Sequence, residues 1–262
     1  MRLTRVFPVL AALGAAAAAG CSKDTGATIN TPPDLAYVRF VNGVGDTNNV
    51  DFRFIDQLEY SPVGLNVQFR DGTAYQGAQT GARHLRIFAH DTTLSGVLNS
   101  QVDDETLTFT TGQYLTLLYN GSARSNTDKI TVLTDNATAT SGQVSYRVYN
   151  LSGAAVDAYD GAAATPAFSN VANNAATAYT ARAPGAFTIN IKAAGGATTL
   201  SSVTAPAGDA GGSGILPAAG STVAGTVFTV FVFPTSVVGS KAPQTAAFTG
   251  NPGATFFVDK RP

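Results

Sequence analysis

His84 and His90 are the only imidazoles in this 262-residue chain. On an extended strand they share one face with Arg86, but six residues at about 3.3 Å each set them roughly 20 Å apart. That is too far for one metal ion, and the face reads as solvated. A serine nucleophile must be presented on a sharp turn, and no Gly-Xaa-Ser-Xaa-Gly elbow occurs. Asp46, Asn48 and Asp51 have the residue types of a calcium loop. They lack the glycine and closing glutamate of EF-hand spacing, so they read as turn side chains bonding local backbone. Asp103-Asp104-Glu105 reads as a solvated acidic run in a loop. Asp51 recurs at Asp157, which suits a structural role at a strand start better than catalysis. Sugar binding would ask for exposed aromatic faces, Trp above all, and the chain has no Trp. Of the remaining candidates, Tyr60, Tyr75, Tyr119 and Tyr179, the second and fourth occupy matching positions that suit core or corner tyrosines. The expectation is therefore no catalytic residue, no cofactor and no metal. Enzymatic activity would require His84 or His90 beside a carboxylate in a pocket.

The one residue with an assignable reaction is Cys21, the sole cysteine, which has no disulfide partner. Arg2 and Arg5 precede an apolar run from Val6 to Ala19. That run is shorter than the roughly 20 residues of a membrane-spanning helix and has the plan of a secretory signal. Ala19-Gly20-Cys21 resembles the lipobox of bacterial lipoproteins, with Ala18 where that family usually has Leu. The resemblance implies cleavage after residue 20, acylation of the Cys21 thiol and, through Ser22, delivery to the outer membrane. Residues 1–20 are then the signal and residues 21–35, with Pro32-Pro33, a flexible tether. Without the signal, 242 residues remain with 14 basic and 17 acidic side chains, a net −3. That balance is too mild to argue for nucleic-acid binding or an anionic membrane surface, and no nucleic-acid partner is expected.

The elements that would carry any site come in two copies, residues 36–135 and 143–262. Tyr37-Val38-Arg39-Phe40-Val41-Asn42 matches Ser145-Tyr146-Arg147-Val148-Tyr149-Asn150, and Val50-Asp51 matches Val156-Asp157. A gapless stretch then aligns Val67 with Val171, Tyr75 with Tyr179 and Gly81 with Gly185. Tyr114–Tyr119 is set against Phe228–Phe233, and Ile130–Asp135 against the last strand ending at Asp259. Ala205–Gly225 and the Pro234–Pro252 loop are extra to the second copy. Each copy has six or seven short alternating segments between Gly, Asn, Asp and Pro turns, and no sustained helical period. The expected fold is all-β: two tandem antiparallel, immunoglobulin-like β-sandwiches. Tyr114–Tyr119 and Val227–Phe233 are apolar on both faces, so they are expected to be central core strands, with Phe231 in the core of the second copy.

Asn42, Val50-Asp51, Tyr75 and Gly81, with Asn150, Val156-Asp157, Tyr179 and Gly185, resemble the bacterial modules named domain of unknown function 4397 (DUF4397). The first copy departs in having Asp56-Gln57 where an Asp-Gly would follow the Val-Asp strand. The resemblance implies export, sandwich folds in tandem and no assigned reaction. The reading is a non-catalytic, lipid-anchored envelope protein. Its partners would be the membrane, through the anchor, and an envelope protein or glycan. The alternative is a glycan- or small-ligand-binding protein, marked by a cleft of clustered exposed tyrosines.

Overall fold

The computed structural model describes residues 33–261 except 92, 94, 97–99, 136–137, 214–216 and 238–245. Cys21, the signal and nearly all of the expected tether lie outside the described residues. The first sandwich contains β1 (Leu35–Asn42), β2 (Val50–Phe54), β3 (Val63–Val67), β4 (Gln76–Gln79), β5 (Gly81–Ala89), β6 (Gln101–Phe109), β7 (Tyr114–Asn120) and β8 (Lys129–Thr134). The second contains β9 (Val144–Asn150), β10 (Val156–Asp160), β11 (Phe168–Val171), β12 (Ala175–Ala176), β13 (Thr180–Arg182), β14 (Thr188–Ala193), β15 (Thr199–Thr204), β16 (Val227–Phe233) and β17 (Gly253–Lys260). The sheets run β4-β1-β7-β8 and β3-β2-β5-β6 in the first, β12-β9-β16-β17 and β11-β10-β14-β15 in the second. The fold is all-β as expected, and antiparallel except that β1 pairs with β7, and β9 with β16, in parallel.

Strand alternation explains why β7 and β16 are apolar on both faces. One face of β1 and β7 (Val38, Phe40, Leu115, Leu117) packs on Phe52, Leu85 and Ile87. The corresponding face of β9 and β16 (Tyr146, Val148, Phe228, Val230, Val232) packs on Ile189 and Ile191. The opposite faces meet each other. Val41 and Leu118 of the first sandwich form a third buried cluster with Tyr149, Leu151, Phe231, Phe233 and Phe257 of the second. Phe231 thus belongs to the join between sandwiches, not to the second core. The register also corrects the repeat alignment. Arg39 sits opposite Thr116, and Arg147 opposite Thr229, so Thr116 corresponds to Thr229 and Tyr114 to Val227. A one-residue slip in a strand exchanges its two faces.

The join is tight. A Cβ on Gly72 would stand 2.5 Å from the Phe40 carbonyl and 2.8 Å from the Phe257 ring, so only glycine fits there. Arg70, held at φ +69°, donates from Nη2 to the carbonyls of Pro234 (2.7 Å) and Asn251 (2.9 Å). Its guanidinium also lies over the Phe69 and Phe248 rings. Pro234, Phe248 and Asn251 of the second sandwich are thereby pinned to the first.

Matched residues do matched work. Asn42 Nδ2 donates to the Val67 carbonyl at 3.1 Å, and Asn150 Nδ2 to that of Val171 at 2.8 Å. The amide of Asn66 donates to Asp51 at 2.8 Å, and that of Asn170 to Asp157 at 2.7 Å. Both asparagines have positive φ, 54° and 49°, beside register shifts in the β2·β3 and β10·β11 pairs. Each aspartate therefore fastens a bulge. Burial alone would lift the Asp51 carboxyl, but the Asn66 amide, Arg53 and His90 outweigh it and hold it below the ordinary range. The amides of Asn170 and Gly195 do the same for Asp157. A depressed folded-state pKa gives stability that is present above about pH 4 and lost as pH falls through the folded value. Denaturant midpoints should fall on acidification, and Asp157→Asn should lower the midpoint at pH 7 while flattening that acid limb. An acid limb equally steep in the variant would remove Asp157 from it.

Candidate binding cleft between the two sandwiches

Along the face where the sandwiches meet, the apolar cluster gives way to a buried ionic group built twice with its acids exchanged. Arg39 Nε donates to Thr116 Oγ1 at 2.6 Å, and its Nη2 to Asp259 Oδ1, also at 2.6 Å. Arg147 Nε donates to Thr229 Oγ1 at 2.8 Å, and its Nη2 pairs with Asp135 Oδ1. Each arginine is answered by an acid at the end of the last strand of the other sandwich, Asp135 just after β8 or Asp259 next to last in β17. Tyr75 donates its hydroxyl to Asp135 and Tyr179 to Asp259, each at 2.8 Å. Thr116 and Thr229 donate to the same two carboxylates. The guanidinium groups lie 4.9 Å from the Tyr75 ring centroid and 4.6 Å from that of Tyr179. Arg39 also stands 3.7 Å from Asp135, so the halves touch. Burial pushes the Asp259 carboxyl up while Arg39 pulls it back, and the nearness of Asp135 adds to the rise. Burial likewise raises the Tyr75 and Tyr179 hydroxyls.

Beyond Arg39 this face opens into a cleft of about 730 Å³. Its floor is Arg39, Asp135 and Asp259. Tyr75 and Tyr114 line one wall beside Tyr37, and Lys260 and Arg261 line the mouth. The Tyr37 and Tyr114 rings stack at 4.8 Å with 17° between planes, and Tyr75 meets Tyr114 edge-on at 5.2 Å. Both stacked rings reach solvent, 37% and 38% exposed. Parallel pairing sets Tyr37 directly opposite Tyr114.

The family model for the domain of unknown function DUF4397 matches residues 36–159. The DUF4397 match covers the first sandwich from the second residue of β1 onward, together with β9 and most of β10. No curated protein matches the chain. Among solved structures, the Bacillus anthracis TIE protein is similar at 9% identity and a TM-score of 0.23. That likeness covers 76% of this chain and 34% of that one, so the chain spans about a third of the TIE protein's length. A "putative cell adhesion protein" from Bacteroides fragilis is similar at 12% identity and a TM-score of 0.22, covering 86% of this chain and 97% of that one.

The sequence candidates fall in three places. The histidines lie on or just past β5, in the sheet that does not line the cleft, where the His84 and Arg86 side chains are each 37% exposed, as on a solvated face, but paired. His84 Nε2 pairs with Asp104, which also accepts from Arg86 at 2.8 Å. His90 Nδ1 lies 2.9 Å from Asp51. Asp103-Asp104-Glu105 is not a loop but part of edge strand β6, where cross-strand charge pairs make a strand read as polar. Asp46 is buried and bonds a distant turn rather than its own: it accepts from Ser122 Oγ at 2.6 Å and from the Ala123 and Arg124 amides at 3.1 Å. Of Tyr60, Tyr75, Tyr119 and Tyr179, only Tyr75 lines the cleft. Tyr119 is buried in the first core and donates to Asp128, and Tyr179 serves the ionic group. Tyr37 and Tyr114 are not sequence candidates, yet each stands two residues before a matched interface residue, Arg39 or Thr116. Among the described residues no cluster of three or more His, Cys, Asp and Glu has metal-ligating geometry.

Proposed function

We propose that the chain is a non-catalytic, lipid-anchored protein of the bacterial envelope whose paired sandwiches, both of DUF4397 type, act as one rigid binding body. The observation that carries the binding reading is the aromatic cleft at the join, opening beside an ionic group that fixes its floor. The bonds repeated at Asn42 and Asn150, and at Asp51 and Asp157, favour a second DUF4397-type module that begins within the matched residues and continues past them. The non-catalytic reading is supported by the position of both histidines on a sheet away from the cleft. The anchor rests on Ala19-Gly20-Cys21 and on the absence of any partner cysteine. Acylation of Cys21 would hold the body at the outer membrane on the tether before Leu35. Cys21→Ala should move the protein from the membrane fraction to the soluble fraction and abolish incorporation of labelled palmitate, with its circular dichroism unchanged. Continued sedimentation of the variant with membranes would end the anchored reading. The glycan-binding alternative gains support from the same tyrosine cluster.

A further inference from the structure

We propose that the cleft binds a saccharide carrying a carboxylate, with a pyranose face against the Tyr37–Tyr114 wall and the carboxylate on Lys260 and Arg261. This deepens the binding-module reading and rests on its cleft, not on the lipid anchor. The duplication supplies an internal control. The second sandwich forms the same parallel strand pair with Ser145 opposite Val227, and both are buried. The fold therefore does not need aromatic side chains at this pair, yet the first sandwich places two there and leaves more than a third of each in solvent. They are also preorganised: Tyr75, anchored through its hydroxyl to Asp135, braces Tyr114 edge-on. Rigid rings that need no ordering on binding favour a ligand with apolar faces.

The floor and mouth fix the rest of the chemistry. An aromatic wall beside the cationic mouth of Lys260 and Arg261 suits a ring with apolar faces and a charged, polar edge, which describes an acidic sugar better than a flat hydrocarbon. A volume of about 730 Å³ lies within the range of roughly 300–1,000 Å³ typical of small-ligand sites and holds a short oligosaccharide. The two buried acids are already answered by Arg39 and Arg147. Lys260 and Arg261, both exposed, thus leave the mouth with two positive charges in excess, and a carboxylate on the sugar would meet them.

The test is a titration of the purified protein with tri-galacturonate and sialyllactose as acidic probes and galactotriose as the neutral one. Tyrosine emission can be followed directly because no Trp masks it. At least one acidic probe should bind with a Kd below about 1 mM and weaken with added salt, while galactotriose binds at least about tenfold more weakly. Tyr37→Ser with Tyr114→Val transplants the pair that the second sandwich already uses. It should keep the fold and weaken binding about tenfold or more. Lys260→Gln with Arg261→Gln should weaken the acidic sugars and remove their salt dependence. The inference is overturned by no saturable change with any probe at about 10 mM, by equal affinity for galactotriose, or by unchanged affinity in either double variant. None of those results bears on the anchor, which Cys21→Ala decides separately.

Discussion

Replacing Arg39 with Met should cost about 3–5 kcal/mol, the usual penalty for removing one partner of a buried ion pair, and lower Tm by roughly 10 °C. Arg39 is 1% exposed and Asp259 is 2% exposed, so no water can take over the lost hydrogen bonds. Burial alone would depress the arginine, and the Asp259 and Asp135 carboxylates more than offset that. Without the guanidinium, Asp259 would remain inside the protein with only Thr229 and Tyr179 as donors and a second carboxylate nearby. Most of the expected loss is therefore the stranded charge, not the net worth of the pair. Arg39→Met with Asp259→Asn removes that charge and keeps an acceptor for Thr229 and Tyr179, so it should recover a large part of the loss. Because the pair joins the two sandwiches, the single variant should also divide one calorimetric transition into two. A single variant melting with the parent would show that the exchanged pairs hold nothing together.

That exchange was only half legible in the sequence. The matched Arg39 and Arg147, Tyr75 and Tyr179, and Asp135 and Asp259 were all visible as repeat positions, and strand alternation was enough to fix the all-β class. What the sequence does not encode locally is which acid each arginine meets, because the contacts span 220 residues in one case and 12 in the other. Thr116 and Thr229 fell out of register because hydrophobic matching of Tyr114–Tyr119 with Phe228–Phe233 is satisfied almost as well one residue away. β6 was hidden by its charges: an edge strand whose outward side chains pair with His84 and Arg86 has no need of an apolar stripe. The cleft is hidden in the sequence for a related reason. A repeat marks what two copies share, while Tyr37 and Tyr114 stand where the copies differ.

Phe231→Asp is expected to lose more than about 4 kcal/mol at neutral pH, beyond the ordinary range for a point substitution. The ring is fully buried, with the rings of Phe257 at 5.3 Å, Tyr149 at 5.6 Å and Phe233 at 5.8 Å. Removing it costs about 3–5 kcal/mol by itself, and the carboxylate would enter an apolar site without a partner. Arg39, 6.0 Å from the ring centroid, is already engaged by Thr116 and Asp259. Patterning along β16 alone would place the damage in the second sandwich. Phe228, Val230 and Val232 fill that core, however, while Phe231 faces Val41 and Leu118, so the join should fail first. Hydrogen exchange should accelerate in β1 and β7 as well as in β9 and β16, and small-angle scattering should show a longer particle. The new carboxyl would have a folded-state pKa raised by burial. Its neutral form is favoured below about pH 4, and the deficit grows as pH rises through the folded value. Relative to the parent, the variant should therefore be least impaired in acid. Protection lost in β9–β17 while the Val41 and Leu118 amides stay protected would return Phe231 to the core of a single sandwich.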